Sequence, residues 1–165
     1  MKTEKIMNEH SFMCQAGPMA AVANLREIAR RAATGIPVDG PLQAWLAGCL
    51  EQFLERRAPS IEDAFGLRAP RGGVPWWLEE AIRRRDAALR ELAARFLAGQ
   101  SVTAQARRIR TEALRYAASA WRHDRAAAAL PDRHRGRLQE GLWHAFRSGA
   151  PMPICERQLR SILAR

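Results

Sequence analysis

Apolar residues recur every three or four positions along almost the whole chain, and no stretch alternates apolar and polar residues over more than a few positions. The first spacing places side chains on one face of an α-helix, whereas alternation is typical of a half-buried β-strand. The pattern therefore predicts an all-α fold, a helical bundle with little or no strand.

Three helices are predicted in the first part of the chain. One spans 19–33, and Gly35 is placed to end it. The second begins at Pro41, and Ser60 with Asp63 forms a capping-box-like start to a short third helix. The second helix is expected to bury one stripe of apolar residues, namely Leu42, Trp45, Leu46, Cys49, Leu50, Phe53 and Leu54.

Two longer helices are predicted next. Pro75 begins the first, and Gly99 is placed to end it. Ser101 can cap the second, whose apolar spacing continues without interruption and predicts a single helix to about Ala129. Opposite the apolar face of this helix lie five arginines, Arg107, Arg108, Arg115, Arg122 and Arg125.

Two further helices are predicted at the C-terminal end, through 138–146 and over 154–165, separated by a turn rich in Gly and Pro. The chain then divides by composition. We expect a poorly ordered tail over 1–17, a neutral helical part over 18–66, a connection over 67–74, and a basic helical part over 75–165.

Charge is distributed unevenly over these parts. The 27 basic and 17 acidic residues give a formal net charge of +10, yet residues 1–70 hold eight of each kind. Residues 71–165 hold 19 basic and 9 acidic residues. An excess confined to one part of the chain favours a polyanionic partner, and nucleic acid is the commonest one.

Two explanations fit the arginines themselves. Arginine pairs bidentately with phosphate and with the edge of guanine, so helices that present it suit DNA or RNA. Alternatively, because Lys2 and Lys5 are the only lysines, the arginines reflect the codon usage of a GC-rich genome on ordinary solvated faces. Codon usage does not account for the excess of basic over acidic residues.

Two helix pairs, over 88–109 and 138–163, have the layout of a helical hairpin or of a helix-turn-helix unit. Through the segments FLAGQSVTAQARRI and SGAPMPICERQLRSIL, about half of the chain resembles the helix-turn-helix proteins of bacterial phages and mobile elements. These include repressors and the small DNA-recognition subunits of phage terminases. The resemblance implies that the second helix of a pair enters the major groove. In the last helix this would bring Arg157, Gln158 and Arg160 to the DNA.

Tryptophans of the basic part have two interpretations. Trp76, Trp77, Trp121 and Trp143 suit either stacking on bases or burial in the core. Adjacent Trp76 and Trp77 cannot both face one core, so one of them is expected at an exposed edge or a subunit contact.

Catalytic and metal-binding motifs are missing from the sequence. It contains no HExxH, CxxC, GxSxG or Gly-rich phosphate loop. Cys155, His134 and His144 could converge in space, but they lack the ligand spacing of a structural zinc site. We therefore expect no metal, no cofactor and no enzymatic activity. The few, widely separated cysteines and the absence of an 18-residue apolar run or an export signal indicate a cytoplasmic protein that does not enter a membrane.

The sequence thus predicts a DNA-binding protein of bacterial regulatory or mobile-element type, acting on duplex DNA as a homodimer or larger ring. The expected nucleic-acid-binding residues are Arg107, Arg108, Arg115, Arg122, Arg125, Arg157, Gln158 and Arg160. The alternative is a non-enzymatic protein-binding module, such as a phage-type inhibitor or adaptor, whose basic face meets an acidic protein surface.

Overall fold

The computed structural model describes residues 17–153 and 155–165. Within these ranges the chain forms eight α-helices, one 3-10 turn and no strand, so the predicted all-α fold is confirmed. The predicted tail over 1–17 lies outside the described residues except for Gly17. The chain divides into two compact units, 1–76 and 77–165, and the division falls just after the expected connection over 67–74.

Unit 1 contains helices α1 (Pro18–Thr34), α2 (Gly40–Leu54) and α3 (Ile61–Ala64). Gly35 ends α1 with a φ of 69°, a left-handed conformation that favours glycine. Ser60 caps α3 by accepting a hydrogen bond from the Asp63 amide at 3.1 Å, as predicted. Both helix ends therefore follow from local sequence signals.

The core of unit 1 forms around Trp45 and Cys49 of α2. The Trp45 ring meets the ring of Phe65 edge to face, with 5.5 Å between centroids. The predicted apolar stripe of α2 is buried only in part, because this cluster ends before the last turn of the helix. Leu50, Phe53 and Leu54 are exposed, Leu54 to 75%. The expectation that the whole stripe is covered within the unit was wrong.

Unit 2 contains most of α4 (Trp76–Phe96), followed by α5 (Val102–Ala118), α6 (Trp121–Asp124), a 3-10 turn (Asp132–His134), α7 (Leu138–Arg147) and α8 (Glu156–Leu163). One core joins these helices. Its largest fully buried side chains are Leu89, Leu92, Ile109, Leu142 and Leu159. Helix α8 packs mainly on α5, so the second helices of the two predicted pairs pack on each other rather than forming independent units.

Helices α4 and α7 approach closely at Gly141. A Cβ atom at this position would lie 2.7 Å from the Cβ of Leu92, closer than side-chain atoms pack. A polar contact also joins α4 to the α7–α8 connection, because the buried Arg85 binds Asp86 and donates to the Pro151 carbonyl. These contacts fix the position of α7, whose N-terminus borders the groove described below.

The helix predicted to run from Ser101 to about Ala129 is two shorter helices. Helix α5 ends at Ala118, and Ser119 leaves the helical conformation with φ −120° and ψ −92°. In an unbroken helix, Tyr116 and Asp124 would be separated by about 12 Å along the axis. The break instead brings the Tyr116 hydroxyl within 2.8 Å of the Asp124 carboxylate. The prediction was wrong because the buried hydrogen bond between Tyr116 and Asp124 favours a break in the helix. The spacing of apolar residues does not reveal that hydrogen bond.

Candidate nucleic-acid interface

Unit 2 has 18 arginines and 9 acidic residues, and its ion pairs decide which arginines are available to a partner. Eight of the nine acidic residues are paired with arginine. The pairs are Glu79–Arg83, Glu80–Arg84, Asp86–Arg85, Glu112 with Arg108 and Arg115, Asp124–Arg133, Asp132–Arg135, Glu140–Arg95 and Glu156–Arg107. Arginines outside this set carry the charge excess.

The arginine run of α4 belongs to the paired group. Arg83 and Arg84 bind glutamates one helical turn earlier, at 2.6 and 3.0 Å. Arg85 is 5% exposed and lies within the protein. Acidic side chains of the same helix therefore neutralise most of the positive charge that the sequence suggested for this run.

The three expected binding residues on α5 are exposed but not free of acidic neighbours. Arg108 and Arg115 contact the same carboxylate, that of Glu112, at 3.1 and 3.5 Å. Arg107 lies 3.8 Å from Glu156 at the start of α8. Their guanidinium groups face solvent opposite the buried residues of α5, as the periodicity predicted, although each has an ionic contact.

Arg122 and Arg125 do not continue the α5 stripe, because the chain turns at Ser119 before reaching them. Arg122 lies on α6 and Arg125 directly follows it. Both are exposed, and neither makes an ion pair with any residue that the structure describes. The expected row of five arginines on one helix is thus two groups, only the second of which is unpaired.

Helix α8 presents the remaining expected residues. Leu159 and Ile162 are buried and hold the helix to the fold, while Arg157, Gln158 and Arg160 are exposed. No acidic side chain among the described residues pairs with either arginine. The separation of buried and exposed positions on α8 is as predicted from the sequence.

A groove beside the α5–α6 break contains residues that sequence analysis did not select. The carboxylate of Asp124 is 2% exposed. Its Oδ2 atom accepts hydrogen bonds from Tyr116 Oη at 2.8 Å and His134 Nε2 at 2.7 Å, and its Oδ1 atom binds Arg133. We call these four residues the Asp124 cluster. It ties α5, α6 and the 3-10 turn together.

Electrostatics within the Asp124 cluster favour the ionised aspartate. Burial alone would raise the pKa of Asp124, but hydrogen bonds from Tyr116 and His134, together with the Arg133 charge, lower that pKa below its ordinary value. Burial and the same hydrogen bond raise the pKa of Tyr116. The cluster therefore holds a buried negative charge that Arg133 and the hydrogen bonds from Tyr116 and His134 compensate.

The groove itself is lined by residues from α5, the break, the 3-10 turn and the start of α7, and has a volume of about 430 Å³. Three arginines line it, Arg115, Arg133 and Arg137. Arg133 and Arg137 were not among the expected site residues. The sequence signal that could have found them is the isolated acid Asp124 in an alanine- and arginine-rich stretch, with His134 ten residues later.

The other candidate groups lie apart from the groove or have structural partners. His134 uses Nε2 to bind Asp124, and no set of three possible metal ligands is present within 17–153 and 155–165. Cys155 is exposed at the start of α8. Among the tryptophans, Trp77 is 58% exposed, whereas Trp143 is buried with Arg147 over its ring. Trp77 is therefore the exposed member of the adjacent pair.

Within the described ranges, no helix combines the length and apolar character needed to cross a bilayer. Comparison of the chain with protein-family models, curated proteins and solved structures gave no match.

Proposed function

We propose that unit 2 binds duplex DNA by placing its unpaired arginines against the phosphate backbone. The observation that carries this proposal is the distribution of ion pairs. With eight of nine acids paired, the exposed arginines left without an acidic partner in the described structure include Arg122, Arg125, Arg137, Arg157 and Arg160. Such groups can bind phosphate without first breaking an ion pair to an acid of the same chain.

Helix α8 is the element best suited to reading sequence. Arg157 and Gln158 are side chains that hydrogen-bond guanine and adenine edges, and both lie on its exposed side. One feature differs from an ordinary helix-turn-helix: residues 148–155 make the connection to α8 longer than the usual three- or four-residue turn. The proposal therefore rests on surface chemistry and not on a match to that motif.

The test compares two double variants of the full chain that remove equal charge. Arg157→Gln/Arg160→Gln removes unpaired arginines from α8, and Arg83→Gln/Arg84→Gln removes paired ones from α4. We expect the first to weaken duplex binding at least about tenfold, and the second to have a much smaller effect. Fluorescence anisotropy at several salt concentrations measures both affinities. Equal effects, or no binding at low salt, would contradict the proposal.

The same experiment addresses the acidic-protein alternative. Poly-glutamate serves as the competitor, because it carries negative charge without phosphate or base edges. If poly-glutamate binds and duplex DNA does not, the arginine surface is better explained as a contact for an acidic protein.

A further inference from the structure

We propose that the groove at the α5–α6 break is a binding site for a phosphate monoester group. The proposal concerns a discrete pocket and does not depend on duplex binding by the exposed helix faces. A volume of about 430 Å³ falls within the range of small-molecule sites and exceeds what a bare phosphate needs. The group would therefore belong to a nucleotide-sized compound or to the phosphorylated end of a nucleic-acid strand.

Arginine donors converge on this groove from three elements. Arg137 has no ionic partner among the described residues, so its guanidinium is fully available. Arg115 makes only the long 3.5 Å contact with Glu112, whose carboxylate is also bound by Arg108. Arg133 binds Asp124 through Nη2 and retains its other N–H groups. Planar guanidinium groups match the oxygens of a phosphate in pairs.

The N-terminus of α7 adds a second source of positive potential. This ten-residue helix begins beside the groove, where Arg137 and Gln139 are lining residues. The first amides of a helix lack intrahelical acceptors, and no side chain caps α7. The acid of its first turn, Glu140, lies at this N-terminus, where its carboxylate accepts from the Gly136 amide and is paired with Arg95, at 2.6 Å each. The Glu140 amide donates to the Arg137 carbonyl at 2.9 Å, so the amides of Leu138 and Gln139 are the ones left for an anion.

One wall of the groove is held in place by the Asp124 cluster. Tyr116 and His134 are buried and hydrogen-bonded to Asp124, which also positions Arg133. Glu112 and Asp124 are the acids nearest the groove, and both are already paired with arginines. Because Asp124 already holds Arg133, that side chain loses less entropy on binding, and the paired acids limit repulsion of an incoming phosphate.

Isothermal titration of the full chain tests the site, with inorganic phosphate, AMP and adenosine as probes. We expect phosphate and AMP to bind, AMP more tightly, and adenosine not to bind. Arg137→Gln should weaken AMP binding at least about tenfold, the loss expected for one charge-assisted contact. Arg83→Gln removes the same charge outside the groove and should change AMP affinity by less than about twofold. Thermal melting confirms that both variants fold.

Two results would overturn the site: no saturable binding of phosphate and AMP, or equal losses in the two variants, which would indicate diffuse charge attraction. The probes also separate the sources of the phosphate. Preference for a 5′-phosphorylated over a 5′-hydroxyl oligonucleotide would assign a strand end, and tighter binding of AMP than of that oligonucleotide would assign a free nucleotide. If AMP binds but duplex DNA does not, only the proposed backbone contact fails.

Discussion

Asp124 shows how one residue determines local structure that no periodicity reveals. Its buried carboxylate accepts hydrogen bonds from Tyr116 and His134 and binds Arg133, so three segments of unit 2 meet at one charge. From the sequence, Asp124 appeared as an ordinary polar residue of a long helix. The acid could be seen in the sequence, but its partners could not, because they depend on how the chain turns after Ala118.

Replacing Asp124 tests this account. Asp124→Asn keeps the shape but weakens three contacts to a charged acceptor, and we expect unfolding free energy to fall by about 2 to 3 kcal/mol. Asp132→Asn is the matched control, since Asp132 pairs with Arg135 on the surface and should leave the melting temperature nearly unchanged. Urea titration of both variants measures the difference. Similar small losses would show that the Asp124 cluster contributes little to stability.

The stabilisation by Asp124 should also depend on pH. Asp124 has a folded-state pKa below the ordinary value of 3.8, so the unfolded chain binds its proton first as the pH falls. The stabilisation by ionised Asp124 is complete above the ordinary pKa. It is lost as the pH falls through the lower pKa of the folded state. Urea titrations between pH 6 and pH 2 should therefore show wild type and Asp124→Asn converging in acid. A constant difference across this range would contradict the assignment.

Helix ends and helix breaks differed in how well the sequence predicted them. Gly35 and Ser60 mark helix termini because each satisfies backbone groups through local contacts. Ion pairs one turn apart, such as Glu79–Arg83, are likewise visible from spacing. Contacts between elements, such as Arg95–Glu140, are not. The positive charge left unpaired on α4 and α5 is therefore smaller than the spacing of their arginines indicates.

The packing of α4 against α7 can be tested by whether a substitution at Gly141 raises or lowers the stability of the protein. Gly141→Ala would normally stabilise a helix by about 0.5 to 1 kcal/mol. Here the added Cβ would lie 2.7 Å from Leu92 Cβ, so we expect a loss of about 1 to 3 kcal/mol instead. Thermal melting distinguishes the two. A raised melting temperature would mean that α4 and α7 can separate without cost.

At the scale of the whole molecule, charge and compactness divide the chain in the same place. Unit 1 has 9 basic and 8 acidic residues, whereas unit 2 has 18 and 9. From composition we expected a neutral part over 18–66 and a basic part over 75–165, with a connection at Pro70, Gly72 and Gly73. The sequence could not predict that α5 and α8 share a packing interface, because their residues are far apart in the chain.

Limited proteolysis should detect the connection. Arg71 is exposed between α3 and α4, in a short turn closed by a 2.7 Å bond from the Gly73 amide to the Pro70 carbonyl. We expect trypsin to cut early after Arg71 in the native protein, giving fragments 1–71 and 72–165, because exposed loops are preferred sites of nicking. Mass spectrometry identifies the products, and Arg71→Gln should abolish this cut. Early cleavage at other sites, with the bond after Arg71 still intact, would contradict the expectation.

The exposed thiol of Cys155 affects how the expected homodimer or ring can be examined. Cys49 is buried, so among the described cysteines Cys155 is the one that air can readily oxidise. Two molecules joined through this sulfur would migrate together on a non-reducing gel and elute early from a sizing column, whatever surfaces they otherwise share. The number of subunits per particle should therefore be measured in fresh reductant or on Cys155→Ser, where it reports on non-covalent self-association. In an unreduced sample, the measured number also depends on how much Cys155 has been oxidised.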